Sequence, residues 1–176
     1  MMITKKIIFQ HQNSSTWYRV LLFCLSLVLF TACGNDDSED VVQKQRELDE
    51  QIIKKYLEDN NLQATRTSSG LYYSITEPTT GPQPVKGNGV SVLYTGKLLD
   101  GKVFDSTSSR GNQPFNFILG AGQVIKGWDE GIALMKKGEK AVLYIPSGLA
   151  YGPQAKSNIP ANSVLIFDVE LVEIVR

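Results

Sequence analysis

The single histidine, His11, and both cysteines, Cys24 and Cys33, fall within the first 33 of 176 residues. From Gly34 onward the chain has neither imidazole nor thiol. Histidine-based hydrolase triads, thiolate nucleophiles and ordinary zinc sites therefore lack their essential groups there. The carboxylates offer little more. Asp129 and Glu130 are neighbours on a predicted helix, where adjacent side chains do not face one another. Gly120, Gly122 and Gly127 do not match the dinucleotide fingerprint, and Trp128-Asp129 stands where a phosphate loop needs Lys-Ser/Thr. No G-x-S-x-G elbow occurs. The acids of 36–40 lack the ordered spacing of a calcium loop. What remains is aromatic: Tyr94, Phe104, Phe115, Phe117, Trp128, Tyr144, Tyr151 and Phe167, with Asp105 among them. Such a set can fill a core or line an apolar pocket with a few polar handles. Residue type alone leaves both open.

The elements that would position these residues follow from patterning. Hydrophobic residues make up 42% of the chain and charged residues 20%, enough for one packed domain and an appendage. The formal net charge is zero, which argues against a nucleic-acid partner. Locally the sign changes: +3 over 1–32, −5 over 33–60 and +2 beyond. Over 41–60 the apolar positions Val41, Leu48, Ile52 and Tyr56, with Ile53 and Leu57 beside them, predict a charged amphipathic helix. Asp40 is placed to cap its start, and Asn60-Asn61 suit its end. Its narrow stripe suits docking on the domain or spacing it from a membrane better than a weak homodimer.

After Gly70 the grammar becomes that of strands: 71–77, 90–99, 103–105, 115–119, 140–146 and 164–175, with a short helix around Ile125, Trp128, Ile132 and Met135. Asp100-Gly101 is a turn pair. In the last strand Leu165, Phe167, Val169 and Leu171 share one face. The expected architecture is α+β, an antiparallel sheet of five to six strands wrapped around one short helix and preceded by the N-terminal helix.

Residues 20–32, VLLFCLSLVLFTA, follow a basic arm and are too short to span a bilayer, but fit the apolar region of a secretory signal. The run ends in Phe30-Thr31-Ala32-Cys33, which resembles the lipobox of bacterial lipoproteins, with Phe30 in place of the usual Leu. That resemblance implies a signal peptide over 1–32, lipid on Cys33 and an acidic tether over 33–40. It places the chain in a Gram-negative envelope, lipid-anchored on the periplasmic side of the outer membrane in preference to the cell surface.

The order VSVLYTGKLLDGKVFDS (90–106), PFNFILGAGQVIKGWDEGIALMKKGEKAVLYIP (114–146), LAYG (149–152), IP (159–160) and VLIFDVEL (164–171) resembles the FKBP-type peptidyl-prolyl cis-trans isomerases. The match covers about 87–175 within a domain of 61–176. It implies a proline pocket that needs no cofactor and no metal, and takes proline-containing polypeptides or a macrolide inhibitor. By this resemblance Trp128 is the floor, and Tyr94, Phe104, Phe115, Val124, Ile125 and Phe167 are walls. Tyr151 offers a hydroxyl to a substrate carbonyl, Asp105 sits beside the twisting amide, and Ile159 closes the rim. Phe117 and Tyr144 are expected in the core. The segment PQAKSNI (153–159) departs from the longer loop of eukaryotic members, which bears on substrate preference and macrolide affinity. A binding module that grips unfolded segments without turnover is the alternative.

Overall fold

The computed structural model describes residues 37–175. The expected signal peptide, Cys33 and the first part of the tether lie outside the described residues. Helix α1 spans Asp37–Asp59, so it starts ahead of Val41, and Asp40 lies within its first turn. Glu39 and Asp40 place negative charge near the positive end of the helix dipole. At the other end Asn61 adopts φ +53°. Leu62 N–H then donates to the Leu57 carbonyl at 2.8 Å and Asn61 N–H to that of Glu58 at 3.1 Å, the double bond pattern of a left-handed helix stop.

Seven strands follow: β1 (Thr65–Arg66), β2 (Tyr72–Glu77), β3 (Gly89–Leu98), β4 (Val103–Ser106), β5 (Phe115–Ile118), β6 (Lys140–Ile145) and β7 (Leu165–Val175). The strand beyond the expected six is the two-residue β1, too short to register as an alternation. Helix α2 covers Lys126–Ala133. All pairings are antiparallel, in the order β1-β2-β6-β7-β3-β4, with β5 also on β3. β3 is the hinge of this arrangement. Its first half, Gly89–Val92, pairs with β5 and its second half, Thr95–Lys97, with β4. Between them Tyr94 N–H donates to Thr107 Oγ1 at 3.1 Å and Thr107 N–H donates to the Tyr94 carbonyl at 3.0 Å. The sheet edge thus opens there without leaving backbone groups unpaired.

The two faces of the sheet carry separate cores. On the inner face Val90, Val92, Leu143, Ile145, Leu165, Phe167, Val169 and Leu171 pack on Trp128, Ile132 and Met135 of the α2 region. On the outer face Tyr72, Tyr144, Val164 and Ile166 are covered by Ile53 and Leu57 of α1. The helix therefore docks, but through a stripe one position round from the expected one. Asp49, Ile53 and Leu57 are buried, Ile52 and Tyr56 flank them, and Val41 and Leu48 stay exposed. An acidic residue in the buried row is invisible to a hydropathy pattern. Among the described residues no helix is long and apolar enough to cross a membrane.

Candidate active site

The site begins where α2 meets the inner face. Ile125 is extended (φ −60°, ψ 148°), and its carbonyl accepts from Trp128 N–H at 2.9 Å, so Trp128 stands in the first helical turn. Asp129, next along, turns its carboxylate outward to the preceding loop: Oδ1 accepts from Gly120 N–H at 2.8 Å and Oδ2 from Gly122 N–H at 3.1 Å. This loop carries Val124 and Ile125 to the cavity. Gly127 and Gly131 let α2 lie close on β6; a Cβ on them would stand 2.5 Å from Ile145 Cγ2 and 2.6 Å from Leu143 Cδ1.

Around the indole the aromatic rings meet edge to face, the favoured arrangement for ring quadrupoles. Centroids lie 4.8 Å away for Tyr94, 5.3 Å for Phe167 and 6.1 Å for Phe115, with interplanar angles of 84°, 82° and 77°. Phe104 stands 5.6 Å from Phe167 at 83°. Both rings crowd the bare backbone of Gly96, where a Cβ would come within 2.7 Å of each. Together these residues bound a cavity of about 800 Å³ that also touches Asp105, Val124, Ile125, Lys126, Gly148, Ala150 and Tyr151. Phe115 is 40% exposed at its mouth. Nine of the ten expected pocket residues line this one cavity. Ile159 does not: it is 7% exposed, packed into the inner core, with its backbone bridged to Lys156. Burying a β-branched apolar side chain there outweighs leaving it on a wet rim. Phe117 is in the inner core and Tyr144 in the outer one.

Arg110 lies outside the expected set of site residues. It lies five residues after Asp105 in a Ser/Gly loop with no periodicity to mark it. Tyr94 Oη donates to Asp105 Oδ2 at 2.6 Å, Arg110 Nη1 donates to Asp105 Oδ1 at 2.6 Å, and Arg110 Nη2 donates to Tyr94 Oη at 2.7 Å. The guanidinium carbon also lies 5.7 Å from the Tyr94 ring centre. Partial burial alone would raise the Asp105 carboxyl, but the bonds from Tyr94 and Arg110 outweigh it and hold the group below its ordinary value. Burial, followed by the Asp105 charge, pushes the Tyr151 phenol above its ordinary value. At neutral pH the cavity therefore presents one fixed, hydrogen-bonded carboxylate and two protonated phenols, Tyr94 and Tyr151. Among the described residues no group of three or more His, Cys, Asp or Glu could hold a metal ion.

The site is thus an apolar, aromatic-floored cavity between an antiparallel sheet and one short helix. The model of the FKBP-type peptidyl-prolyl cis-trans isomerases matches residues 81–172. This chain belongs to that family. It is 50% identical over 109 residues to a probable FKBP-type isomerase, FkpA, of Neisseria meningitidis, covering 61% of this chain and 39% of that one. It is 49% identical over 104 residues to FK506-binding protein 1 of Dictyostelium discoideum, covering 58% and 96%. The crystal structure of FkpA from Escherichia coli superposes with a TM-score of 0.64 at 34% identity, over 93% of this chain and 74% of that one. The chain spans between a third and a half of the length of several curated relatives it matches.

Proposed function

We propose that this chain accelerates cis–trans isomerisation of X–Pro bonds in envelope or secreted polypeptides. The observation that carries this reading is the gathering of Trp128, Tyr94, Phe104, Phe115 and Phe167 around one cavity with Tyr151 and Asp105 at its edge. The X–Pro bond resists rotation because resonance gives it partial double-bond character, with a barrier of about 18–20 kcal/mol. At the twisted point conjugation is lost and the imide is less dipolar. An apolar cavity therefore disfavours the planar ground state relative to the twisted one, which is differential binding of the kind that lowers barriers. Trp128 supports the proline ring, the four other rings select its twisted geometry, and the Tyr151 hydroxyl donates to a substrate carbonyl. Asp105, held by Arg110 and Tyr94, sets a fixed negative charge near the imide. No proton is transferred and no bond is cleaved, so the chemistry needs neither imidazole nor thiol nor metal. The same apolar walls suit an FK506-type macrolide as a competing occupant.

The sequence of the N-terminal segment supports lipid attachment at Cys33 and retention at an envelope membrane, with the acidic residues and α1 following Cys33 in the chain. Exchange of an X–Pro peptide, followed by NMR with the full chain in detergent, tests the activity. Faster exchange that falls when a macrolide is added is expected, and no acceleration at micromolar enzyme overturns the reading. Cys33→Ser should move the protein from the membrane to the soluble fraction and abolish palmitate labelling; persistent labelling overturns the anchor.

A further inference from the structure

The buried acid on α1 plays no part in the mechanism above, yet its partners lead to the pocket. Asp49 is 1% exposed. Its Oδ2 accepts both from the Ser147 backbone N–H at 2.7 Å and from Ser147 Oγ at 2.6 Å, and its Oδ1 accepts from Gln45 Nε2 at 2.7 Å. Ser147 opens a single 3₁₀ turn, Ser147–Leu149, directly after β6. Its carbonyl accepts from Ala150 N–H and again from Gly152 N–H, both at 2.9 Å. Gly148, Ala150, Tyr151 and Gly152 all line the cavity. One continuous relay therefore runs from the outer-face helix to the rim: Gln45 to Asp49, Asp49 to Ser147, Ser147 to the residues on either side of Tyr151.

The segment needs such an anchor. It carries glycine at both 148 and 152, Gly152 with φ +58°, so its own chain restrains it weakly. The anchor is also costly to release, because both Ser147 donors lose their acceptor in a buried place if Asp49 is removed. Ordinary docking of α1 is already supplied by Ile53 and Leu57 on the outer core. A carboxyl in that buried row is not needed for apolar burial, and its aim at a single turn is what remains to be explained.

We infer that Asp49 is a positioning residue for Tyr151: it fixes the turn that holds the phenol against the substrate carbonyl, and makes α1 a working part of the site. The inference rests on the proposed isomerase reading, in which Tyr151 contacts substrate. Asp49→Asn keeps the size but removes the charge that strengthens both Ser147 bonds and replaces one of the two acceptor oxygens with a donor. In the full chain it should lower kcat/KM about three- to fivefold, no more than loss of the Tyr151 hydroxyl itself, with the loss in kcat. In a Tyr151→Phe background the same substitution should cost less than about twofold, because the group it positions is already gone. A purely structural role would lower the thermal midpoint in both backgrounds and leave the two activity losses multiplying. Multiplying losses, or wild-type activity in Asp49→Asn, overturn the inference. If Asp49→Asn does not fold, Ser147→Ala removes only the Oγ bond and should show the same non-additivity at smaller size. If the wild-type chain shows no turnover, the isomerase reading falls by itself. Amide hydrogen exchange over Ser147–Gly152 then decides the positioning: selectively faster exchange in the variant upholds it, and unchanged exchange overturns it.

Discussion

Asp105, Tyr94 and Arg110 form a closed triangle of charge-assisted bonds at the cavity edge, and its pH behaviour follows from the direction of the shift. The Asp105 carboxyl titrates below its ordinary value in the folded chain. Its stabilising contribution is therefore complete above about pH 4 and is lost as pH falls through the lower folded-state value. Thermal midpoints of wild type and Asp105→Asn should differ at neutral pH and converge in strong acid. Catalysis should be flat from about pH 6 to 9, since Asp105 is held below its ordinary value and Tyr94 and Tyr151 are pushed above theirs. A bell-shaped profile in that range would require a proton-transfer step that the mechanism lacks. Tyr151→Phe keeps the ring and removes one hydrogen bond, about 1 kcal/mol, which should appear as a roughly fivefold lower rate with an unchanged midpoint. Trp128→Phe is the gentler floor variant. The indole Nε1–H is buried without an acceptor among the described residues, so losing it relieves an unmet donor and offsets part of the cavity left behind. Its rate should fall further than its stability.

Two glycines separate pocket shape from fold at the level of elements. Gly96 lies on β3, under Phe104 and Phe167. A methyl there must push aromatic rings toward the cavity, so Gly96→Ala should cut the exchange rate and weaken macrolide binding more than it lowers the midpoint. Gly131 lies in α2, against Leu143 of β6. Alanine would gain about 1 kcal/mol of helix propensity, but overpacking a close helix–strand contact costs about 1–3 kcal/mol. The net effect should be a small loss of stability, read as a lower midpoint. A higher midpoint would show that α2 can slide on the sheet. Replacing Lys156, at the bridged tip of the 153–159 loop, should leave the turnover of a short peptide unchanged, because that loop and Ile159 stand outside the cavity lining.

On the scale of the whole molecule, the sheet has a helix on each face, and the outer one is not a mere spacer. Leu57 and Ile53 close a second core over Tyr72, Tyr144, Val164 and Ile166. Leu57→Ala should cost about 2–4 kcal/mol, visible as a lower urea midpoint. A chain starting after residue 60 should expose those four apolar side chains and aggregate, as uncovered apolar patches do. Stability independent of α1 would show that the helix only rests on the sheet.

Local rules carry far along this chain. Strand alternation, the Asp100-Gly101 turn and the Asn61 helix stop depend on residues close in sequence, so their signals were present without a third dimension. The ordered run YTG, FDS, VIKGWDEG, AYG and FDVEL was equally legible, and eight residues named from it meet around one cavity with Phe115. Other features depend on partners far apart in the chain. Arg110 joins Tyr94 across sixteen residues, and Asp49 joins Ser147 across ninety-eight. Neither leaves a periodic trace, because the place of a polar side chain is set by a donor or acceptor elsewhere in the chain and not by a repeating pattern. Ile159 was drawn to the rim by its place in a motif and into the core by the free energy of burial. Sequence by itself determined most of the elements, since these follow from short-range stereochemistry, while the aromatic residues of the cavity were named by the family resemblance. Tertiary structure alone decided which polar groups meet, because a hydrogen bond requires coordinates from both ends.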